Sequence, residues 1–191
     1  MSKERMLAFS DGVLAIIITI MVLELRPPTE PALAALRPLT PSFLSYLLSF
    51  IFLGIYWSNH HHLFQAVERV DGRVLWANLH LLFWLSLIPF VTAWMGESDF
   101  AALPVAMYGV VLLLSAIGYF FLTRALLRLH EDDSLLADAL GRDVKGKISV
   151  VAYLAAIPLA FILTWLAGIL YVAVAIIWLI PDRRIEKRLT P

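Results

Sequence analysis

The sequence predicts an all-α membrane protein with six transmembrane helices per subunit. Of its 191 residues, 61% are apolar and only 16% are charged, whereas a soluble domain is usually about 45–50% apolar and about 25% charged. The mean hydropathy is +0.82, and a spanning helix needs about 20 apolar residues. We therefore expect residues 1–191 to form a single domain of six spans joined by short loops.

Six apolar segments follow one another along the chain. They comprise residues 6–25, 42–63, 74–94, 104–126, 148–165 and 167–180. The breaks between them lie at Arg26-Pro27-Pro28, at Asp71-Gly72, at residues 96–99, at residues 130–147 and at Ala167-Gly168. The first segment ends at its prolines because proline cannot continue a helix and restricts the residue before it. Only a tight turn is expected between the fifth and sixth segments.

The distribution of basic residues predicts the orientation. With six spans both termini lie on one side, and that side carries 13 of the 15 Lys and Arg residues. The other side carries only Arg26 and Arg37. Because positively charged loops stay in the cytoplasm, we expect a multi-pass protein of the cytoplasmic (inner) membrane with both termini in the cytoplasm. No basic face is left for nucleic acid.

Polar residues inside the spans form a candidate functional cluster. Ser10 and Asp11 lie in the first span, Asn59 and the histidines that follow it end the second, and Asn78 begins the third. All of them fall at the same end of the predicted bundle. Ionisable groups in a membrane are costly unless paired, so we expect Asp11 to be buried and bonded to a side chain of helix two or three, with the histidines or Asn59 of helix two as the nearest candidates. A proton relay through Asp11 and the histidines, as in a proton-coupled secondary transporter, is the alternative.

The sequence contains no pattern that predicts a catalytic site or a metal site. Consecutive helical residues point about 100° apart, so His60, His61 and His62 cannot all face one ion, and the chain has no cysteine. Zinc-protease and nucleophile-elbow motifs are absent from the sequence, as is a TVGYG filter loop. We expect no enzymatic activity, no metal site and no cofactor.

One face of helix one carries an apolar stripe. At about 100° per residue, and with Ile16 as the origin, Ile20 lies at about +40°, Leu23 at about −20° and Thr19 at about −60°. Asp11 lies at about −140°, away from this stripe. An apolar stripe on an apolar helix is typical of packing or lipid contact, so the periodicity alone does not assign a pore.

Residues 5–11, Arg-Met-Leu-Ala-Phe-Ser-Asp, carry the pattern RxxxFSD. The sequence here resembles the transmembrane protein 175 family of potassium channels, and the similarity continues to Glu24. The Asn59-His60 pair at the end of helix two agrees more loosely. The resemblance implies a homotetramer with no re-entrant filter loop, in which helix one of each subunit lines a central pore.

The resemblance also implies roles for individual residues. Ile16, Ile20 and Leu23 would form the pore constriction, and Thr19 would contribute to selectivity for potassium over sodium. A structural network would hold helix one against helices two and three; its predicted members are Arg5, Phe9, Ser10, Asp11, Asn59 and His60. The expected partners are further copies of the chain, the lipid bilayer and permeant K⁺, with the apolar constriction as gate and filter.

Overall fold

The computed structural model describes residues 2–130 and 143–179, and this part of the chain is helical with no strand. It contains α1 (Lys3–Leu23), α2 (Thr40–Gln65), α3 (Gly72–Ser86), α4 (Ile88–Glu97), α5 (Ala102–Leu129), α6 (Val144–Leu159) and α7 (Thr164–Leu179), with a 3₁₀ helix, Leu33–Leu39, before α2. The predicted all-α class is confirmed. The C-terminal arginines and most of the charged stretch at 130–147 lie outside the described residues.

Four helical stretches are long and apolar enough to cross a membrane. They are Lys3–Leu23, Leu33–Gln65, Gly72–Glu97 and Ala102–Leu129. α6 and α7 are shorter, with 16 residues each, and they pack against each other and against α5. With α3 and α4 counted as one segment, the described residues form six helical segments, and the four apolar ones are those of a multi-pass membrane protein. We call the end of the bundle at which α1 begins the lower end.

The third pass is broken, although the sequence predicted one continuous helix over residues 74–94. α3 ends at Ser86 and α4 begins at Ile88, with Pro89 in the first turn of α4. Proline has no N–H to donate to the carbonyl four residues earlier, and its ring crowds that turn. At the end of α3, Leu87 N therefore donates to Trp84 O, three residues earlier instead of four, over 3.2 Å. A new helix starts at the next residue.

The boundary between the last two helices differs from the predicted turn at Ala167-Gly168. α6 ends at Leu159 and α7 begins at Thr164, so both predicted turn residues lie inside α7. Pro158 weakens the last turn of α6 because it lacks a backbone donor. The Thr164 hydroxyl donates to Ala160 O over 3.0 Å and joins the two helices. Ala167 is fully buried, which indicates that the small residue serves helix packing.

α1 lies at one edge of the bundle, and only one of its faces is covered. That face contacts α2, α3 and α4; its buried residues are Met6, Ser10, Leu14, Ile17 and Met21. They recur every three or four positions, as one face of a helix requires. On the other side, α5 packs against α6 and α7 around Tyr108, Tyr153 and Tyr171, which are buried. One face of α1 therefore remains free.

Candidate pore helix and its anchor network

α1 is a continuous helix of 21 residues. Ser2 caps its first turn by accepting a bond from Arg5 N over 3.4 Å, which satisfies one of the free N–H groups at a helix start. The helix contains no proline, and Gly12 is its one glycine. Its 21 residues correspond to about 30 Å of rise, the thickness of a bilayer core.

The three predicted constriction residues lie together on the free face of α1. Ile16 is 59% exposed, Ile20 42% and Leu23 78%. Ile16 and Ile20 also border an open groove whose other wall is α4, with Phe90 and Trp94. An apolar surface of this kind must face lipid, a neighbouring chain or a pore when the protein is in a membrane.

Thr19 lies on the same exposed face, between the constriction positions. Its hydroxyl donates to Ile16 O of its own helix over 2.9 Å. Because this bond uses the hydroxyl proton, the oxygen lone pairs stay available to accept from, or coordinate, a group outside the helix. Thr19 therefore presents a hydroxyl oxygen on an otherwise apolar exposed face.

A buried hydrogen-bonded chain links α1, α3 and α2 near the lower end. Asn78 Nδ2 donates to Ser10 Oγ over 2.8 Å, and Ser10 Oγ donates to Met6 O over 2.9 Å. His60 Nε2 lies 2.7 Å from Asn78 Oδ1 and acts as the donor, because the Asn78 oxygen can only accept. All three polar side chains are at most 2% exposed. We call Ser10, Asn78 and His60 the anchor network.

Asp11 has a partner on helix two, as predicted, but that partner is neither a histidine nor Asn59. Trp57 Nε1 donates to Asp11 Oδ1 over 3.1 Å. The expected burial of Asp11 is not found within one chain, where both Asp11 and Trp57 are exposed. Asp11 lies about 100° from the middle of the buried face, which places it at the border of the covered surface.

The other predicted network residues lie outside the anchor network. The Asn59 amide donates to Ile55 O within its own helix over 2.8 Å. Phe9 is 53% exposed on the free face. The exposed Arg5 guanidinium has no hydrogen bond to any residue within 2–130 or 143–179. Of the six predicted residues, Ser10 and His60 are joined through Asn78, and Asp11 is joined separately to α2.

Sequence reasoning missed the role of Lys3. Its ammonium donates to Phe64 O over 3.1 Å and to Val67 O over 2.7 Å. These carbonyls belong to the last turn of α2 and the residues after it, where carbonyls lack helical partners and the helix dipole is negative. The sequence did contain a signal for this contact. Lys3 stands at the start of the first span, and the end of the second span was expected at the same side of the membrane.

Comparisons with known proteins agree with this geometry. Residues 5–89 match the family described as endosomal/lysosomal potassium channel TMEM175. A potassium channel of Chryseobacterium sp. (strain P1-3) is 54% identical over 189 residues, which cover 99% of this chain and 98% of the relative. The chain belongs to the TMEM175 family. The matched segment includes residues 5–23 of α1 and the entire anchor network of this TMEM175 protein.

Two further TMEM175 relatives extend the comparison. A crystal structure of a lysosomal potassium-selective channel TMEM175 homolog from Chamaesiphon minutus superposes with a TM-score of 0.77 at 32% identity, covering 92% of this chain and 95% of that one. The human endosomal/lysosomal proton channel TMEM175 is 29% identical over 121 residues, and the match covers 24% of its length. The TMEM175 family consists of ion channels, so this chain is not an enzyme.

Proposed function

We propose that this chain is a potassium channel that selects potassium over sodium and works as a homotetramer. Four copies of α1 surround the pore, residues 1–191 act as one six-span unit, and no cofactor takes part. The observation that carries the proposal is the two-sided character of α1. One face is bonded into the subunit through the anchor network, while the opposite face leaves Ile16, Ile20 and Leu23 exposed.

We further propose that the channel lies in the inner (cytoplasmic) membrane and that its lower end faces the cytoplasm. Eight basic residues among the described ones lie at this end: Lys3, Arg5, Arg69, Arg73, Arg124, Arg128, Lys145 and Lys147. The upper end has only Arg26 and Arg37 within the described ranges. This asymmetry supports an orientation with both termini in the cytoplasm.

The proposed barrier is an apolar constriction. Leu23 lies seven positions after Ile16, so three rings of four side chains would line about 10 Å of pore. Such a lining offers no oxygen to replace the water that an ion must lose, and a narrow apolar segment also loses its water. Opening then requires α1 to move so that the rings widen or the Thr19 oxygens reach the axis.

The anchor network has a mechanical role in this proposal. It fixes the lower half of α1 to α2 and α3, together with the Trp57–Asp11 bond. Arg5 and Phe9 would support α1 through contacts within the tetramer, since both are exposed in one chain. The Asn59 side chain would stabilise only its own helix, α2, through its bond to Ile55 O. Movement of α1 is then expected above Leu14, where the exposed stripe begins.

Recording from purified protein in a planar bilayer tests the channel itself. With a potassium gradient across the bilayer and sodium replacing potassium on the dilute side, we expect unitary current steps that reverse near the potassium equilibrium potential. The alternative, a proton-coupled transporter using Asp11 and the helix-two histidines, predicts no unitary steps and a potassium flux that requires a pH gradient. Such a result would exclude a channel mechanism.

Cysteine substitution tests which face of α1 lines the pore. The native chain has no cysteine, so Ile16→Cys, Ile20→Cys and Leu23→Cys each introduce a single thiol. A charged thiol reagent added to the open channel is expected to block most of the current from these positions. Leu14→Cys, on the buried face, is the matched control and should not react. Block from Ile18→Cys or Val22→Cys, with none from the stripe, would contradict the pore assignment.

Thr19→Val tests chemical selection separately from pore width. Valine nearly keeps the volume of threonine but removes the oxygen that we propose to coordinate potassium. The permeability ratio of potassium to sodium should fall by about fivefold, as expected for the loss of one polar contact of about 1 kcal/mol, while the tetramer still assembles. Thr19→Ser, which keeps the hydroxyl, is the control. An unchanged ratio in Thr19→Val would leave pore width as the discriminator.

A further inference from the structure

Glu24 stands at the upper end of α1, directly after the proposed constriction. It follows Leu23, the last residue of the helix, and its own backbone is still in the right-handed helical region. With Ile16 as the origin, Glu24 therefore lies at about +80° around the helix, beside the apolar stripe. No charged side chain occurs between Gly12 and Leu23. Glu24 is thus the first charge that follows the three apolar rings.

The Glu24 carboxylate has no structural duty within one subunit. Glu24 is exposed, and its carboxylate makes no hydrogen bond or ion pair with residues 2–130 or 143–179. It borders the same open groove as Ile16 and Ile20, so it lies on the side of α1 that carries the stripe. Neither a helix cap nor an ion pair within the described subunit accounts for a carboxylate at this position.

The upper end of the subunit has the charge that attracts cations. Among the described residues, its acidic side chains are Glu24, Glu30, Glu97 and Asp99, and its basic ones are Arg26 and Arg37. Four carboxylates against two guanidinium groups leave a net charge of −2 per subunit. The lower end, in contrast, is rich in lysine and arginine. A cation approaching the upper end is therefore attracted even before it reaches the mouth of the pore.

The proposed tetramer brings four copies of Glu24 around this mouth. Packed helices lie about 8–10 Å apart, so four α1 helices at the corners of a square have their axes about 6–7 Å from the centre. A glutamate side chain directed about 80° away from the centre then places its carboxylate about 9 Å from the pore axis. This distance is close to the Debye length of about 10 Å at 0.1 M salt. An ion at the mouth is thus within range of all four charges.

We propose that Glu24 sets the conductance of the channel, as a ring of four carboxylates that concentrates cations at the upper mouth before they reach Leu23. This inference rests on the proposed potassium channel. Rings of acidic side chains favour cations in pores, and an attractive field raises the rate at which ions arrive. Because the field acts at a distance on the charge of an ion, the ring does not distinguish potassium from sodium. That discrimination is assigned to Thr19.

Single-channel recording of the purified full-length channel in symmetrical KCl tests Glu24→Gln. The Debye length is about 30 Å at 0.01 M salt and about 3 Å at 1 M. Four charges at about 9 Å in water raise the local potassium concentration about tenfold at 0.01 M but only about 1.2-fold at 1 M. Arg26, which borders a neighbouring groove together with Glu24, opposes part of this effect.

We expect Glu24→Gln to lower the unitary conductance by about three- to tenfold at 0.01 M and by less than about 1.5-fold at 1 M. The permeability ratio of potassium to sodium should not change. Glu24→Asp keeps the charge and should conduct as the native channel does, whereas Glu24→Lys should lower the low-salt conductance further. Glu30→Gln is the matched control, because Glu30 is an exposed carboxylate of the upper end that does not border the groove, and it should have little effect.

Three results would overturn the role of Glu24 while the native protein still conducts potassium. They are an unchanged conductance of Glu24→Gln at 0.01 M, an equal loss at both salt concentrations, and an equal loss in Glu30→Gln. Each of them leaves the proposed potassium channel intact. An absence of unitary currents in the native protein would instead contradict the channel and the ring together.

Discussion

Replacing Leu23 by serine is expected to produce a channel that leaks at rest. Leu23 is 78% exposed, the most exposed of the three stripe residues, and the proposed ring of four leucines excludes ions by its apolarity and its bulk. Serine shortens the side chain and adds an oxygen. The resting potassium conductance in bilayers should rise by about tenfold or more, since each 1.4 kcal/mol removed from a barrier gives a factor of ten.

Leu154→Ser is the matched control for this change. It makes the same substitution at an exposed position of α6, away from α1, and should leave the resting conductance unchanged. An increase in both variants would indicate a general loss of packing. A native-like resting current in Leu23→Ser, with normal assembly, would show that this leucine is not part of the barrier.

Replacing Asn78 by alanine is expected to destabilise the protein strongly. Asn78 donates to Ser10 and accepts from His60, and all three side chains are buried. The substitution leaves the buried His60 Nε2 without its partner, at about 1–3 kcal/mol, and removes the bond to Ser10, at about 1 kcal/mol, although the Ser10 hydroxyl still donates to Met6 O. The melting temperature of the detergent-solubilised protein should fall by about 5–10 °C, and α1 should lose its attachment to α3.

Asn59→Ala provides the comparison, because the Asn59 amide bonds only within its own helix. Its melting temperature should change by at most about 2 °C. If the melting temperature fell equally in the two variants, the buried hydrogen bonds of Asn78 would contribute no more to stability than the bond of Asn59 within its own helix. A destabilised Asn78→Ala protein that still forms channels should show altered gating, because the lower half of α1 is then held less firmly.

The sequence predicted the residues on each face of α1 better than it predicted their partners. Helical periodicity alone placed Ile16, Ile20 and Leu23 on one side of α1 and Asp11 away from them, because the angle between residues is fixed within one helix. The partner of Asp11 depends on how α1 is rotated against α2, and that rotation is set by packing across the whole contact. Trp57 is the donor, two positions before the predicted Asn59.

The breaks inside the apolar segments were harder to predict, although their cause is visible in the sequence. Pro89 and Pro158 both lie within long hydrophobic runs, and hydropathy does not distinguish a continuous helix from a broken one. Pro89 ends α3 early, and Pro158 precedes the turn that was predicted nine residues later at Ala167. Proline positions deserve more weight than small residues when spans are divided.

The bonds of Lys3 have a consequence for biosynthesis. Its two acceptors, Phe64 O and Val67 O, lie 61 and 64 residues further along the chain. At about 5–20 residues per second, these carbonyls emerge from the ribosome about 3–13 seconds after the lysine that binds them. During that interval the first span resides in the membrane without its terminal attachment. A delay in translation between α1 and α2 should therefore prolong the lifetime of an incompletely attached first span.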